Sequence, residues 1–369
     1  MRVGIDGRAL TGDETGIGRY VREICARLDG LLPQAEFFVY SPFPLAKRLP
    51  SPRWIPRIAP RPPRYLSGYA WFKLRSHRLI HADQLDVFWA NRTLLPPLRA
   101  GTGALVTVHD LNHLLVPETM PVVNRWAHRL WFARDVRRAD RVIANSHATA
   151  RRLRRLVGCE ADGIAPPGVA AHFAPAPPRQ ISECLRRYGI SSPYFLAVGT
   201  LEPRKNYGKL FEAFQQFRRD ETSRDHLLIV SGAAGWKEQR LKHRVAETGI
   251  RMLGYVADAD LPALYSGAEA LVFPSRYEGF GMPAAEARAC GTRLIASDIP
   301  ELREAGGADA IYIEPSVQGI VCGLRQASNR PRPPPIRAPS WDAAAAVMAQ
   351  ALMDAARVGN ARGRMSADT

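Results

Sequence analysis

The chain has 369 residues, 46% hydrophobic and 23% charged, with 51 Lys and Arg against 35 Asp and Glu. This length predicts two domains and excludes a peptide hormone, a small disulfide-stapled scaffold and a single small binding module. The net charge of +16, most of it in residues 1–177, favours anionic partners: nucleic acid, phospholipid head groups or phosphorylated small molecules.

Short apolar runs alternate with longer amphipathic segments along nearly the whole chain, which indicates β-α units and parallel sheets. The strands predicted in the first half are 3–6, 37–41, 87–90, 104–109 and 141–145. Those predicted in the second half are 194–199, 227–231, 251–253, 270–274, 293–297 and 310–313. Each set is sufficient for one doubly wound α/β domain.

Helices are predicted between these strands, over 18–28, 122–139, 147–157, 207–217, 261–267 and 282–290, with Asn145-Ser146 and Asp258 placed as caps. A Pro-rich stretch over 165–178 fits neither periodicity and predicts a linker. The resulting domains are 1–177 and 178–340. A second Pro-rich piece precedes an Ala-rich segment, 341–356, which is predicted to be helical.

The cysteines and the N-terminus indicate the compartment. Five scattered cysteines form no C-x-x-C pair, which is typical of a reducing cytosol. The first residues, M-R-V-G-I-D, place an acid where a signal peptide needs apolar residues, and no window approaches 18 uncharged apolar residues. We therefore expect a cytoplasmic protein without a membrane-spanning helix, which is compatible with binding at a membrane surface.

A glycine-rich turn from Gly12 to Gly18 joins the first predicted strand to a helix. Backbone N–H groups at such a helix start can face a phosphate. The dinucleotide-binding spacing G-x-G-x-x-G is absent, because Val21 stands where the third glycine belongs. A surface turn without a ligand is the alternative interpretation.

Charged residues follow two predicted strands of the second half. Arg204 and Lys205 come after strand 194–199, at the carboxyl end of a parallel strand, where they can hold a diphosphate or simply face solvent. Glu278 precedes the helix 282–290, and Glu286 lies inside it. Two carboxylates at one strand end can each accept hydrogen bonds from a pair of hydroxyls, as in a ribose or a sugar ring.

The segment E-G-F-G-M-P-A-A-E-A, which begins at Glu278, resembles the signature of retaining glycosyltransferase family 4, in particular its mannosyltransferase-like members. The segments at 199–206, 254–261, 108–111 and 16–18 fall where that family has donor-binding and catalytic elements. The resemblance spans residues 2 to about 314. It implies the GT-B fold, with two Rossmann-like domains whose parallel sheets face each other across a cleft, and residues 341–369 packed back onto the first domain.

The resemblance also implies roles for individual residues. Arg204 and Lys205 would neutralise the departing nucleoside diphosphate, as a metal ion does in other enzymes. Glu278 would hold sugar hydroxyls, and Glu286 would hold the ribose. The donor would further be lined by Phe280, Gly281 and Met282 at the hexose and phosphate, by Gly254, Tyr255 and Val256 at the base with Leu261 behind it, by Gly16 across the cleft, and by His109 beside the anomeric carbon.

We expect no metal ion and no other cofactor. The D-x-D triplet at Asp258 and Asp260 opens a predicted helix, where an acidic cap is common. His109 and His113 are four residues apart, but no helical pattern surrounds them and no third ligand is adjacent.

A basic segment, defined as residues 37–82, contains no acidic residue. Its cations are interleaved with aromatic residues, and the two groups include Lys47, Arg48, Arg53, Arg57, Arg61, Arg64, Lys73, Arg75, Arg78, Trp54, Tyr65, Tyr69, Trp71 and Phe72. This composition suits an anionic bilayer, single-stranded nucleic acid or a solvated face. The resemblance to an enzyme favours a membrane surface over nucleic acid.

Taken with these observations, the resemblance implies a retaining, metal-independent hexosyltransferase, peripherally bound to the inner face of the plasma membrane. It would transfer a hexose, with mannose from GDP-mannose as first choice, to a polyprenyl-diphosphate-linked glycan during lipopolysaccharide O-antigen or exopolysaccharide biosynthesis. The alternatives are a nucleotide-sugar epimerase or phosphorylase of the same fold, or a non-catalytic basic protein that binds membrane or nucleic acid on a degenerate scaffold.

Overall fold

The computed structural model describes residues 1–12, 15–59, 68–232, 249–336 and 339–367. The chain divides into two compact units. Unit 1 comprises residues 1–114, 120–168 and 340–369, and unit 2 comprises residues 115–119 and 169–339. The divisions fall after residues 168 and 339, whereas the sequence places them after residues 177 and 340.

Unit 1 contains a seven-stranded parallel sheet in the order β3-β2-β1-β4-β5-β6-β7. Its strands are β1 Arg2–Asp6, β2 Glu36–Ser41, β3 Trp54–Ile58, β4 Val87–Ala90, β5 Gly103–Val108, β6 Arg141–Ala144 and β7 Gly163–Ile164. The accompanying helices are Gly16–Leu31, Gly68–Leu74, His77–Ala82, Asn112–Leu115, Val122–Arg138, His147–Val157 and Trp341–Ala367, with a 3₁₀ turn at Gly7–Leu10.

Strands β3 and β7 were not predicted. β3 carries Pro56 and Arg57 in its centre, which breaks the apolar pattern, and a proline is tolerated there because β3 lies at the edge of the sheet. β7 has only two residues, so it presents no pattern to detect. The Ser146 side chain caps its helix as predicted, accepting a hydrogen bond from the Thr149 N–H at 2.9 Å.

The long C-terminal helix, Trp341–Ala367, belongs to unit 1 and packs against β5 and the helix Gly16–Leu31. Two glycines allow this approach. A Cβ atom on Gly103 would overlap the backbone of Ala355, and one on Gly359 would overlap the backbone at Gly103. At the helix start, the buried Trp341 ring lies edge-on to Tyr20, with 5.8 Å between centroids.

Unit 2 contains a six-stranded parallel sheet in the order β10-β9-β8-β11-β12-β13. Its strands are β8 Tyr194–Val198, β9 Leu227–Ser231, β10 Ile250–Gly254, β11 Ala270–Phe273, β12 Leu294–Ser297 and β13 Ile311–Ile313. Its helices are Pro178–Arg187, Tyr207–Phe217, Leu261–Gly267, Met282–Ala289, Pro300–Gly306 and Val317–Ser328, with 3₁₀ turns at Pro117–Thr119, Pro203–Lys205 and Glu221–Ser223.

The strands of unit 2 are apolar on both faces because helices cover both sides of the sheet. In β8, Tyr194 and Leu196 enter one apolar cluster, while Phe195 and Ala197 enter the other. The sheet order reverses direction between β8 and β11, and open α/β sheets bind ligands beyond the carboxyl ends of strands at such a point. The predicted pair of doubly wound parallel domains is confirmed. None of the described helices is long and apolar enough to cross a lipid bilayer.

Candidate active site

The loops that follow β8 and β11 bring three predicted site residues into contact. An Arg204 guanidinium nitrogen lies 2.5 Å from Glu278 Oε2, and Lys205 Nζ lies 2.7 Å from Glu278 Oε1. We call Arg204, Lys205 and Glu278 the charge cluster. It lies at the carboxyl edge of the sheet of unit 2, at the point where the strand order reverses. Sequence spacing cannot show this contact, because 73 residues separate Lys205 from Glu278.

The charge cluster is largely shielded from water. The exposed fractions of the Arg204, Lys205 and Glu278 side chains are 16%, 11% and 8%. Burial alone would raise the pKa of Glu278, but the two neighbouring cations outweigh burial and lower its pKa to about 2. Burial lowers the pKa of Lys205, and the Glu278 carboxylate offsets part of that effect. The three residues combine two positive charges and one negative charge, and the more exposed Glu202, 3.4 Å from the Arg204 guanidinium, offsets part of the remaining positive charge.

Asn206 was not predicted as a site residue, yet it joins the loops around the charge cluster. Its side-chain amide donates to the backbone oxygens of Pro274 and Pro315, at 3.2 and 3.0 Å, beyond the ends of β11 and β13. Its φ of +63° is a left-handed conformation that asparagine tolerates better than most residues. A lone asparagine after a basic pair carries no visible sequence signal for this role.

Backbone and ring contacts hold the cations in place. The Arg204 guanidinium donates to the Tyr277 carbonyl at 2.9 Å, and the Arg276 N–H donates to the Arg204 carbonyl at 2.9 Å. Lys205 Nζ lies 4.4 Å from the centroid of the Phe273 ring, a cation–π contact. These contacts fix both cations before any ligand arrives.

Glu286 lies in the helix Met282–Ala289, which begins directly after the charge-cluster loop. It is buried, and its Oε2 accepts a hydrogen bond from the Tyr265 hydroxyl at 2.9 Å. The preceding Gly281 has a φ of +99°, and a Cβ atom there would overlap Leu302, so the turn into this helix requires glycine. The structure therefore gives Glu286 a hydroxyl partner in the protein itself.

The remaining residues predicted on the donor side differ in burial. Phe280, Val256 and Leu261 are buried in one apolar cluster of unit 2, and Met282 packs against that cluster. Gly254 ends β10 with a φ of +71°, and the Tyr255 side chain is exposed. Of these residues only Tyr255 presents a large side chain to solvent, whereas Val256 and Leu261 belong to the core of unit 2.

Two predicted site residues lie in unit 1. Gly16 is the exposed first residue of the helix Gly16–Leu31, which Thr15 caps by accepting from the Gly18 N–H at 3.1 Å. Asp13 and Glu14 of the glycine-rich turn lie outside the described residues. His109 follows β5 and is buried, and its Nε2 lies 2.8 Å from the Asn91 carbonyl oxygen. Because a carbonyl only accepts, this Nε2 carries the proton.

Three histidines of unit 1 should make the free energy of unfolding depend on pH. Burial lowers the pKa values of His109, His113 and His128 to about 4, against 6.5 in the unfolded chain. Between these values the unfolded state binds more protons, so stability falls as the pH falls from about 6.5 to 4. We expect the free energy of unfolding to drop by at least about 2 kcal/mol from pH 7 to pH 5 in urea titrations.

The variant His128→Phe checks the assignment of this acid sensitivity. Phenylalanine keeps a ring beside His113 and Phe132, whose centroids lie 5.3 and 6.0 Å from that of His128, but it cannot take up a proton. The variant should lose less stability than the wild type on acidification. An unfolding free energy that is equal at pH 7 and pH 5 in the wild type would contradict the assignment.

The D-x-D triplet has a structural role. Asp260, not Asp258 as predicted, is the cap residue of the helix Leu261–Gly267, and its side chain does not bond to the helix backbone. Its carboxylate instead accepts hydrogen bonds from Arg187 and the Tyr188 hydroxyl, each at 2.8 Å. Within the described parts of the chain, no group of three His, Cys, Asp or Glu side chains is placed to hold a metal ion.

In the structure, part of the basic segment is buried or paired, whereas its composition predicts a surface that faces a membrane. Trp54, Trp71 and Phe72 are buried, so these aromatic side chains belong to the core. Arg53 pairs with Asp29, Arg57 with Asp83 and Lys73 with Asp135. Other members of the segment, Arg61, Arg64 and Tyr65, lie outside the described residues. Composition misled here because it does not show which side chains face inward.

Comparison with known protein families shows to which proteins this chain is related. Residues 187–332 match the family model described as glycosyl transferases group 1, and residues 15–171 match the model described as glycosyltransferase family 4. The chain is a glycosyltransferase with a family 4 region and a group 1 region. The family 4 match falls largely in unit 1, and the group 1 match falls in unit 2, where it includes the charge cluster.

Curated relatives of this glycosyltransferase include two O-antigen enzymes. It is 28% identical over 320 residues to O-antigen chain mannosyltransferase B of Escherichia coli, covering 82% of this chain and 84% of that protein. It is 27% identical over 254 residues to O-antigen chain mannosyltransferase RfbU of Salmonella typhimurium, covering 68% and 66%. A match to the E. coli mannosyltransferase WbdA covers only 28% of that longer protein.

Solved structures with low sequence identity share the fold. A sucrose-phosphate synthase from Thermosynechococcus elongatus superposes with a TM-score of 0.70 at 18% identity, covering 100% of both chains. WaaG, a glycosyltransferase involved in lipopolysaccharide biosynthesis, superposes with a TM-score of 0.69 at 16% identity, covering 98% and 99%. The predicted GT-B fold is confirmed.

Proposed function

We propose that this glycosyltransferase transfers mannose from GDP-mannose to a polyprenyl-diphosphate-linked glycan, with retention of anomeric configuration and without a metal ion. The observation that carries the proposal is the charge cluster, two part-buried cations and one buried carboxylate at the strand-order reversal of unit 2. Such a cluster suits a ligand that is both a diphosphate and a polyol.

In the ligand-free protein, the Glu278 carboxylate neutralises part of the charge of Arg204 and Lys205. A donor diphosphate would compete for the same cations and release Glu278 to accept hydrogen bonds from sugar hydroxyls. When the bond between the anomeric carbon and the diphosphate breaks, negative charge grows on the leaving group, and preorganised cations stabilise it. The acceptor hydroxyl would then attack the oxocarbenium-like carbon on the same face, forming the new C–O bond and passing its proton to the departing diphosphate.

Other residues have narrower proposed roles. Glu286 would bind the ribose hydroxyls, exchanging or sharing its bond with the Tyr265 hydroxyl. Tyr255 would contact the base, and the backbone of Gly281 and neighbouring residues would contact the hexose. Gly16 would approach the diphosphate, and His109 would lie beside the anomeric carbon as a neutral ring at pH 7, since burial holds its pKa near 4.

The choice of mannose and of a lipid-linked acceptor is supported by the names of the curated relatives, two of which are O-antigen chain mannosyltransferases. An O-antigen or exopolysaccharide role would place the enzyme at the cytoplasmic face of the plasma membrane. Its partners would then be a nucleotide sugar, a saccharide on a lipid carrier and an anionic membrane surface, with no nucleic acid.

A transfer assay in excess EDTA tests the proposal. GDP-, UDP- and dTDP-sugars are offered with a lipid-linked acceptor, and the anomeric configuration of the product is read by NMR. We expect turnover with GDP-mannose to change by less than about twofold on EDTA addition and the product to keep the donor configuration, because side chains supply the charge. Activity that disappears in EDTA and returns with Mg²⁺ or Mn²⁺ would contradict metal independence, and an inverted product would contradict retention.

A further inference from the structure

The helix Val122–Arg138 of unit 1 presents apolar side chains to solvent. Val122, Val123, Trp126 and Leu130 are 60%, 58%, 50% and 62% exposed. At 100° per residue these four positions fall within an arc of about 100° on the helix surface. We call them the apolar stripe. Exposed apolar side chains that adjoin on one helix, unlike single scattered ones, are typical of a surface that binds a partner.

The apolar stripe is separate from the face that holds the helix in the fold. Ala127, Phe132 and Val136 are buried, and they lie outside the arc of the stripe. The helix is therefore apolar on two sides, one covered by unit 1 and one exposed. Packing within unit 1 accounts for the buried side and gives no reason for a tryptophan and three aliphatic residues on the other.

Arginines border the apolar stripe on both sides. Arg125 and Arg129 lie along one edge, Arg134 and Arg138 lie along the other, and the Arg129 guanidinium lies 5.4 Å from the centroid of the Trp126 ring. The one acidic residue in this helix, Asp135, is buried and paired with Lys73. The exposed face of the helix thus combines apolar residues with positive charge and contains no carboxylate.

We propose that the apolar stripe and its bordering arginines dock this glycosyltransferase on an anionic lipid bilayer, with the helix Val122–Arg138 lying in the plane of the interface. Trp, Val and Leu would enter the boundary of the acyl chains while the arginines meet lipid phosphates. The proposal deepens the proposed function, on which it rests for the lipid-linked acceptor. It transfers the membrane contact from the basic segment to a helix that sequence analysis did not select.

A second copy of the chain is a less suitable occupant. Symmetric pairing of two such helices would bring the bordering arginines of both copies close together, and like charges across an interface are costly. An anionic bilayer satisfies the apolar stripe and the arginines together. The net charge of +12 in residues 1–177 acts in the same direction over a longer range.

The test measures sedimentation of the full-length enzyme with vesicles of phosphatidylcholine alone or with 30% phosphatidylglycerol. The chain offers a matched pair of substitutions. Leu130 and Leu74 are both leucines and both 62% exposed, but Leu74 lies in the basic segment, away from the stripe residues in sequence. Wild type should partition to the anionic vesicles at least tenfold more strongly than to the neutral ones, Leu130→Glu should lose at least tenfold of that binding, and Leu74→Glu should lose less than twofold.

Several outcomes would overturn the proposal. The proposal fails if the wild-type protein does not sediment with anionic vesicles, or if Leu130→Glu binds them as well as the wild type. It also fails if Leu74→Glu loses as much vesicle binding as Leu130→Glu. A concentration-dependent dimer that Leu130→Glu abolishes, while vesicle binding is unchanged, would point to a second copy of the chain instead. Transfer to a water-soluble acceptor analogue without vesicles serves as a separate readout and should be unaltered in both variants. Loss of that transfer in the wild type would count against the proposed function, and it would leave the vesicle result interpretable by itself.

Discussion

Replacing Lys205 with alanine is expected to lower kcat for sugar transfer by roughly 10²- to 10³-fold, the range typical of removing one preorganised group that stabilises developing negative charge. The Lys205 side chain is only 11% exposed, so its charge acts on a bound diphosphate with little screening by water. If the cation acts mainly on the leaving group, kcat should fall more than KM rises. Initial rates across a range of GDP-mannose concentrations give this separation.

Lys209→Ala is the matched control for this prediction. Lys209 lies one turn further along the chain, in the helix Tyr207–Phe217, and its side chain is exposed. Its removal should change kcat by less than about twofold. The Lys205→Ala variant keeps the contact between Arg204 and Glu278, so we expect it to stay folded. A circular dichroism spectrum equal to that of the wild type checks this. A Lys205→Ala enzyme within threefold of the wild type would contradict the assigned role.

Glu278→Ala is expected to have the second large effect, and it acts on both activity and stability. Transfer should fall at least about 100-fold because the sugar hydroxyls lose their carboxylate partner. The substitution also leaves the part-buried Lys205 without its carboxylate partner and Arg204 with only the more exposed Glu202, at 3.4 Å. Breaking a buried ion pair by removing one partner costs roughly 3–5 kcal/mol.

A nucleoside diphosphate should partly rescue the stability of Glu278→Ala, since the diphosphate would supply the missing negative charge. We therefore expect GDP to raise Tm more in Glu278→Ala than in the wild type, measured by thermal denaturation at equal ligand excess over Kd. Glu202→Ala is the control, because it also removes a carboxylate next to Arg204. That carboxylate is 33% exposed and lies 3.4 Å from the guanidinium, so it interacts with Arg204 more weakly than Glu278 does. Equal Tm and equal activity of Glu278→Ala and the wild type would refute the account of the cluster.

The low pKa of Glu278 defines the pH range in which its carboxylate stabilises the fold. With a folded-state pKa of about 2 against an ordinary value of 4.5, the ionised carboxylate stabilises the fold fully above pH 4.5 and loses that effect as the pH falls toward 2. His109, His113 and His128 of unit 1 should therefore act between pH 6.5 and 4.5, a range in which Glu278 stays ionised in the folded protein.

The sequence predicted the elements best where the apolar pattern was continuous. The helices His147–Val157, Tyr207–Phe217 and Leu261–Gly267 have the predicted bounds, because each has a buried face at helical spacing. Strand β3 escaped detection because Pro56 and Arg57 interrupt its pattern at a sheet edge. The helix Val317–Ser328 also escaped, since its glycines, Gly319 and Gly323, lower its apparent helix propensity.

For the candidate site, too, some features could be predicted from the sequence and others could not. Residue types and their position after strands drew attention to Arg204, Lys205 and Glu278, because the carboxyl ends of neighbouring parallel strands converge, and the resemblance to family 4 supplied their predicted roles. The sequence did not show that these three residues pair with one another, nor that Asn206 ties their loops together, since both facts depend on contacts between distant segments.

Surface properties were the least predictable. The basic segment attracted attention through its composition, yet Trp54, Trp71 and Phe72 are core residues. The exposed face of Val122–Arg138 went unnoticed because apolar residues on both sides of a helix cancel any simple amphipathic pattern. Burial had to be observed before either surface could be interpreted.

The central claim is that the charge cluster holds the diphosphate of an activated sugar. Its most direct test is a crystal structure of the full chain with GDP-mannose, prepared in EDTA. We predict diphosphate oxygens about 3 Å from the Arg204 guanidinium and from Lys205 Nζ, with Glu278 turned toward the mannose hydroxyls. A diphosphate bound elsewhere, while the contacts of Glu278 with both cations remain intact, would contradict the claim.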